Sequence, residues 1–150
     1  MSIRNETLDI VYSVLKKYIT ESLNETLSPS CEIKTQSQDI ISKNLIVLDE
    51  ISNTLSLSTT RREETISDVS FEVNIFCPKD EVKESDGEMI LMSKMEQARE
   101  LRRLVDEVLG GYYRLSRDFC QPTPNIDNTV YRITMRYSGK INDNRLKFLV

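Results

Sequence analysis

Seven cations gather near the end of the chain. Arg114, Arg117, Arg132, Arg136, Lys140, Arg145 and Lys147 are interleaved with Tyr112, Tyr113, Phe119, Tyr131 and Tyr137. Cations spaced among aromatic rings can track phosphates and stack bases, so nucleic-acid binding is the first chemistry to weigh. Residues 131–142 (YRITMRYSGKIN) alternate apolar and polar side chains, and an extended strand sends alternate side chains to opposite faces. Tyr131, Ile133, Met135 and Tyr137 then share one face, with Arg132, Thr134 and Arg136 on the other. The rings sit with the apolar residues and away from the arginines, which suits a docking face better than a base-stacking platform. The chain is also acidic overall, with 20 Lys+Arg against 24 Asp+Glu, which disfavours sequence-specific nucleic-acid binding.

Catalytic chemistry finds few residues. The chain has no histidine, the commonest general base near neutral pH. Cys31, Cys77 and Cys120 lie far apart, which excludes the usual zinc spacings and a Cys/His nucleophile and leaves reduced, buried or incidental thiols. Asp49-Glu50 and Glu63-Glu64 are paired carboxylates, but no acid/base partner is indicated for either. Gly110-Gly111 follows a helix pattern and reads as a left-handed helix stop, with no sign of a phosphate cradle. No catalytic, metal or cofactor site is expected.

At 150 residues, with 39 % apolar and 29 % charged content, one domain with an ordinary core is expected. No apolar run approaches the ~20 residues of a membrane helix, and residues 1–6 (MSIRNE) do not read as a signal peptide. The charge is uneven. Residues 1–111 hold 13 Lys+Arg against 21 Asp+Glu (−8), and residues 112–150 hold 7 against 3 (+4). Such asymmetry permits complementarity between neighbouring copies or with a partner.

Several elements could position these residues. Leu8, Val11, Tyr12, Leu15, Tyr18, Ile19 and Leu23 follow helical spacing, with Asn5 as N-cap and both tyrosines read as core. Residues 27–43 are polar around a short strand at 31–35. Residues 44–51 (NLIVLDEI) suit a strand buried on both faces, and residues 52–65 an exposed hairpin arm or long loop. Residues 68–78 alternate as a strand stopped by Pro78. Residues 79–92 read as an acidic, mobile loop carrying Asp80, Glu81, Glu84, Asp86 and Glu88. Ser93-Lys94-Met95-Glu96 is a capping box opening a helix with Ala98, Leu101, Leu104, Val105, Val108 and Leu109 inward. Strands at 112–120 and 131–142, then residues 146–150 after a turn, complete an α+β arrangement. It has two helices on one face of a mainly antiparallel sheet of about four strands.

Residues 68–77 (DVSFEVNIFC), the helix of form Ala98-x-x-Leu-x-x-Leu-Val-Asp-x-Val-Leu, and residues 131–142 resemble phage tail terminator and minor capsid proteins. These include tail-to-head joining proteins of long-tailed phages and prophages, and the likeness spans roughly residues 44–145. The resemblance implies a hexameric ring that caps the tail tube, ends its polymerisation and offers a surface to the head. It implies no enzyme and no cofactor. Expected partners are further copies of the chain, the tail tube protein, and a head-completion or connector protein. DNA would meet the chain only in passing through the bore, no membrane is involved, and the place is the virion neck, assembled in the bacterial host cytoplasm. In that frame Arg132, Thr134 and Arg136 are expected at a subunit interface, and Arg61, Arg62, Glu63 and Glu64 at the tube or neck. Asp80, Glu81, Glu84, Asp86 and Glu88 are expected to face the bore and repel phosphate. A head-completion or stopper role, a non-specific nucleic-acid adaptor and a small carboxylate-dependent enzyme are the alternatives.

Overall fold

The computed structural model describes residues 3–25, 31–35, 41, 43–58, 65–85, 87–124, 128–142 and 147–149. Helix α1 (Ile3–Glu25) precedes strands β1 (Glu32–Lys34), β2 (Leu45–Ser58) and β3 (Thr65–Cys77). A two-stranded ribbon, β4 (Glu81–Ser85) and β5 (Glu88–Met92), leads into helix α2 (Lys94–Asp106), which runs on as a π-helical segment, Glu107–Tyr112. Strands β6 (Ser116–Pro122), β7 (Tyr131–Asn142) and β8 (Lys147–Leu149) follow. The main sheet has the order β1-β2-β3-β7-β6, with β8 on the same side of β7 as β6, beyond its end. Only β1–β2 is a parallel pair among the described strands. The class is α+β, as expected. Six strands, where about four were expected, arise because the three-residue β1 and β8 each join an edge.

Both helices cover one face of the sheet. Val11, Leu15 and Ile19 of α1, and Ala98, Leu101, Leu104 and Val105 of α2, pack on Ile46, Leu48, Phe71, Val73, Ile75, Ile133, Met135 and Tyr137. Full burial of such a side chain contributes roughly 1.5–3 kcal/mol, so this face accounts for most of the hydrophobic stabilisation. On the opposite face a smaller cluster, Leu45, Val47, Phe76 and Val130, packs with Ile41. Strand β2 is thus buried on both faces at its start, as its unbroken apolar run predicts.

Four expectations need correcting. Helix α1 begins at Ile3, so Asn5 lies inside it and is not its cap. Tyr12 packs on the core and donates to Ile33 O (3.0 Å), but Tyr18 sits at the core's margin and donates to Glu107 Oε2 instead. Strands β4 and β5 form a hairpin instead: they stay paired as far as Ser85 and Glu88, and Gly87 has the positive φ (+81°) that a tight turn demands. Gly110-Gly111 does not stop α2 in the left-handed region. The chain widens into a π-helix there, and the left-handed residue comes later, at Arg114 (φ +57°). Ser93 caps α2 as predicted, its Oγ accepting from Glu96 N (3.2 Å).

Candidate functional site

The face of the sheet away from the helices carries the predicted arginines. Register pairs Phe76 with Arg132, Asn74 with Thr134 and Glu72 with Arg136, so these six side chains share one face across β3 and β7. Arg132 donates from Nε and Nη2 to Asn74 Oδ1 (3.1 and 2.9 Å), and Thr134 Oγ1 donates to the same oxygen (2.8 Å). Asn74 Nδ2 donates to Glu72 Oε1 (3.1 Å), and Arg136 Nη2 pairs with Glu72 Oε2 (2.7 Å). The Arg136 hydrogen bond, with help from Asn74, holds the Glu72 carboxyl below the usual carboxylate range against the smaller opposing effect of burial. Arg132 lies over the Phe76 ring and Arg136 over that of Phe119, at 5.3 and 5.4 Å. Thr134 is buried, and its hydroxyl is spent on Asn74. Within the chain it braces Asn74, the residue that also holds Arg132. Arg136 Nε is buried and has no hydrogen-bond partner among the described residues.

A second surface is the β4–β5 ribbon, whose feet are fixed by a buried glutamine that the sequence reading passed over. Gln97, on the first turn of α2, donates from Nε2 to Lys79 O (2.8 Å) and Met92 O (2.9 Å), one at each foot. Its Oε1 accepts from Asn44 Nδ2 (2.9 Å), tying the feet to the start of β2. Asp80 Oδ1 accepts from Lys94 N (2.9 Å) at the start of α2, and Lys94 Nζ donates to Thr129 O (2.7 Å). Above these anchors the ribbon exposes large apolar side chains: Val82 (55 %), Met89 (69 %), Ile90 (40 %) and Leu91 (64 %). Val82 pairs with Leu91, and alternation puts Met89 on their side, so one face of the ribbon is apolar and uncovered. Of the predicted acids, Asp80 is engaged at the helix start, Glu81 is half-buried, Glu84 lies in β4 and Glu88 is exposed in β5. Asp86 lies outside the described residues. The Asp-Gly pair before an apolar run, residues 88–92, was the available signal for this hairpin.

A third surface lies at the far end of α2. Tyr137 Oη donates to Asp106 Oδ1 (2.7 Å), and Arg117 Nη1 approaches the same oxygen (3.4 Å). Burial, then the bond to Asp106, pushes the Tyr137 phenol well up. A Cβ on Gly110 would lie 3.1 Å from that carboxylate oxygen, so glycine fits the close approach. Beyond it, Tyr113 and Leu115 turn inward and are buried, with Leu115 seated over Gly139, where a Cβ would stand 2.6 Å from its Cδ2. Burial, then the neighbouring Tyr112, pushes the Tyr113 phenol up to about 12. Between the two anchors Arg114 is held in the left-handed region, a strain of order 1–2 kcal/mol, and is exposed. Tyr112 (70 % exposed) stands edge-on to Tyr113 at 4.9 Å.

Arg61, Arg62, Glu63 and Glu64 lie outside the described residues. They fall between Ser58 and Thr65, whose backbones pair, and β3 stays paired with β7 as far as Ile66, so residues 52–58 and 65 of the expected arm belong to the sheet. Of the described basic and aromatic residues, Tyr113 and Tyr137 are buried, and Arg117, Arg136 and Lys140 pair with Asp106, Glu72 and Asp68. Among the described residues no cluster of three Cys, Asp or Glu side chains is placed to hold a metal ion. Comparison of the chain with protein-family models and with curated proteins gives no match to either.

Proposed function

We propose that this chain is a structural subunit of a phage neck. Copies form a ring on the end of the tail tube, end its growth and present a surface to a head-completion or connector protein, while DNA passes through the bore. The observation that carries this reading is the ribbon with Val82, Met89 and Leu91 uncovered while Gln97 clamps both its feet. A seated element with an apolar face serves to be covered by another protein. Arg132 and Arg136 on the open sheet face, with their geometry set by Asn74 and Glu72, make a second docking surface. Residues 61–64 are assigned to the tube or neck. The ribbon's other face, with Glu81 and Glu88, is assigned to the bore, where negative charge keeps phosphate from sticking.

The test is solution mass by light scattering across concentration, with and without tail-tube protein, and tube lengths by electron microscopy. The expected result is rings, formed alone or on tube ends, and tubes that stop growing when the protein is added. Indifference to tubes would overturn the reading, and binding to a head connector alone would move the chain to the neighbouring head-completion role. Reversing Glu81 and Glu88 to lysine is expected to slow DNA ejection from assembled particles; unchanged ejection would remove these residues from the bore.

A further inference from the structure

An isolated two-stranded ribbon is marginal in water, and this one has a face of large apolar side chains uncovered. Its sequence sets what can cover it. Residues 79–92 hold two lysines against five acids (−3), so a second ribbon would meet it with like charge. The occupant must be cationic and partly apolar. Residues 112–117 of the chain itself meet both needs: they hold two arginines and no acid, and they expose Tyr112 and Arg114. Arg114 has no carboxylate partner among the described residues.

The two surfaces cannot meet within one subunit. The ribbon adjoins the start of α2 and the Tyr112–Arg114 projection lies beyond its end, the 13 residues of α2 and a 6-residue π-helical segment ending at Tyr112 running from one to the other. At helical rise these lie roughly 25 Å apart. Complementary patches at opposite ends of one rod join copies head to tail, the heterologous contact that yields a ring when the rotation closes. The edge of β6 is a poorer receiver, because Asp118 bulges from its pairing with β7 and Pro122 lacks a donor.

We infer that the apolar face of the β4–β5 ribbon of one copy seats on Tyr112 and Arg114 of the next, Met89 and Leu91 meeting the Tyr112 ring and Glu84, opposite Met89 in the register, meeting Arg114. This rests on the ring reading and names the joint within it. Both sides are seated before contact, Gln97 fixing the ribbon and buried Tyr113 and Leu115 fixing the projection, so little freedom is lost on docking.

Two measurements on the full chain test the joint. In the first, Leu91→Cys combined with Tyr112→Cys is oxidised and run without reductant, beside the wild type and each single variant. A ladder of dimer, trimer and higher species is expected from the double variant alone. A dimer band from Leu91→Cys alone would mean ribbon meets ribbon and would overturn the inference. In the second, light scattering follows wild type, Met89→Lys/Leu91→Lys, Arg114→Glu, and Arg114→Glu with Glu84→Arg, each checked as folded by circular dichroism. The first two variants are expected to drop to single-chain mass and the charge swap to regain assembly. Variants that assemble like wild type, or a wild type monomeric at millimolar concentration, overturn the joint. Capping of tubes has its own assay and stands or falls separately.

Discussion

Gln97 uses its whole amide inside the fold, three hydrogen bonds from one side chain that is fully buried. Gln97→Leu would leave Asn44 and two carbonyls without their partner, so a loss of about 2–4 kcal/mol is expected in urea unfolding. Glu72 works on a different axis. Its folded pKa is depressed, so its contribution is present above the unfolded value of about 4.3 and is lost as pH falls through the folded value. Glu72→Gln is therefore expected to lower the urea midpoint at pH 7, with the gap to wild type closing in acid. A gap that stays constant down to pH ~2 would show that Arg136 gains nothing from the charge. Gly139→Val places a side chain where Leu115 Cδ2 already lies within 2.6 Å of the Cβ position. Overpacking of ~1–3 kcal/mol is expected, with thermal unfolding as the readout. Neither Gln97 nor Gly139 announces itself in the sequence, because a buried glutamine and a strand glycine acquire meaning only from neighbours distant along the chain.

At the scale of elements, the ribbon and the main sheet separate. Nothing lies within 4 Å of a Cβ added to Gly87, so Gly87→Ala acts through its φ of +81° alone. Faster hydrogen exchange is expected in the amides of β4 and β5, with those of β3 and β7 unchanged. How legible each element was follows from its physics. Strand β7 was read to the residue, and β3 to within three residues of its start, because period-two alternation is a one-dimensional signal. The helix stripes were read for the same reason at period 3.6, and β2 by its buried β-branched run. The ribbon was missed because five acids around Asp86-Gly87 masked the turn chemistry. The π-helical ending was missed because Gly-Gly reads as a stop, whereas here it admits the Asp106 carboxylate that Tyr137 and Arg117 hold. The arginine face was legible; its partners Asn74 and Glu72 were visible as polar positions of β3, but pairing across 58 and 64 residues was not.

At the scale of the whole molecule, the thiols report on the core. Cys77 is buried, and burial, then the nearby Glu81, pushes its thiol up to about 12; burial above all raises Cys31 as well. A maleimide at pH 8 is expected to label Cys77 only as fast as the protein opens globally, at a rate that falls with the stability measured in urea. Rapid labelling of Cys77 in the folded chain would contradict that burial. The pairing of β3 with β7 also has a consequence in time. Cys77 faces Tyr131 and Ile66 faces Asn142, so the centre of the sheet is closed by a strand made long after its partner. At about 5–20 residues per second of synthesis, β3 waits several seconds with one edge bare. Within the main sheet, the β2–β3 hairpin is the antiparallel pairing that can form in that interval. Ribosome-bound chains halted before residue 131 are therefore expected to pellet or bind chaperones, and those extended past residue 142 to escape both, so birth of this protein is limited by its penultimate strand.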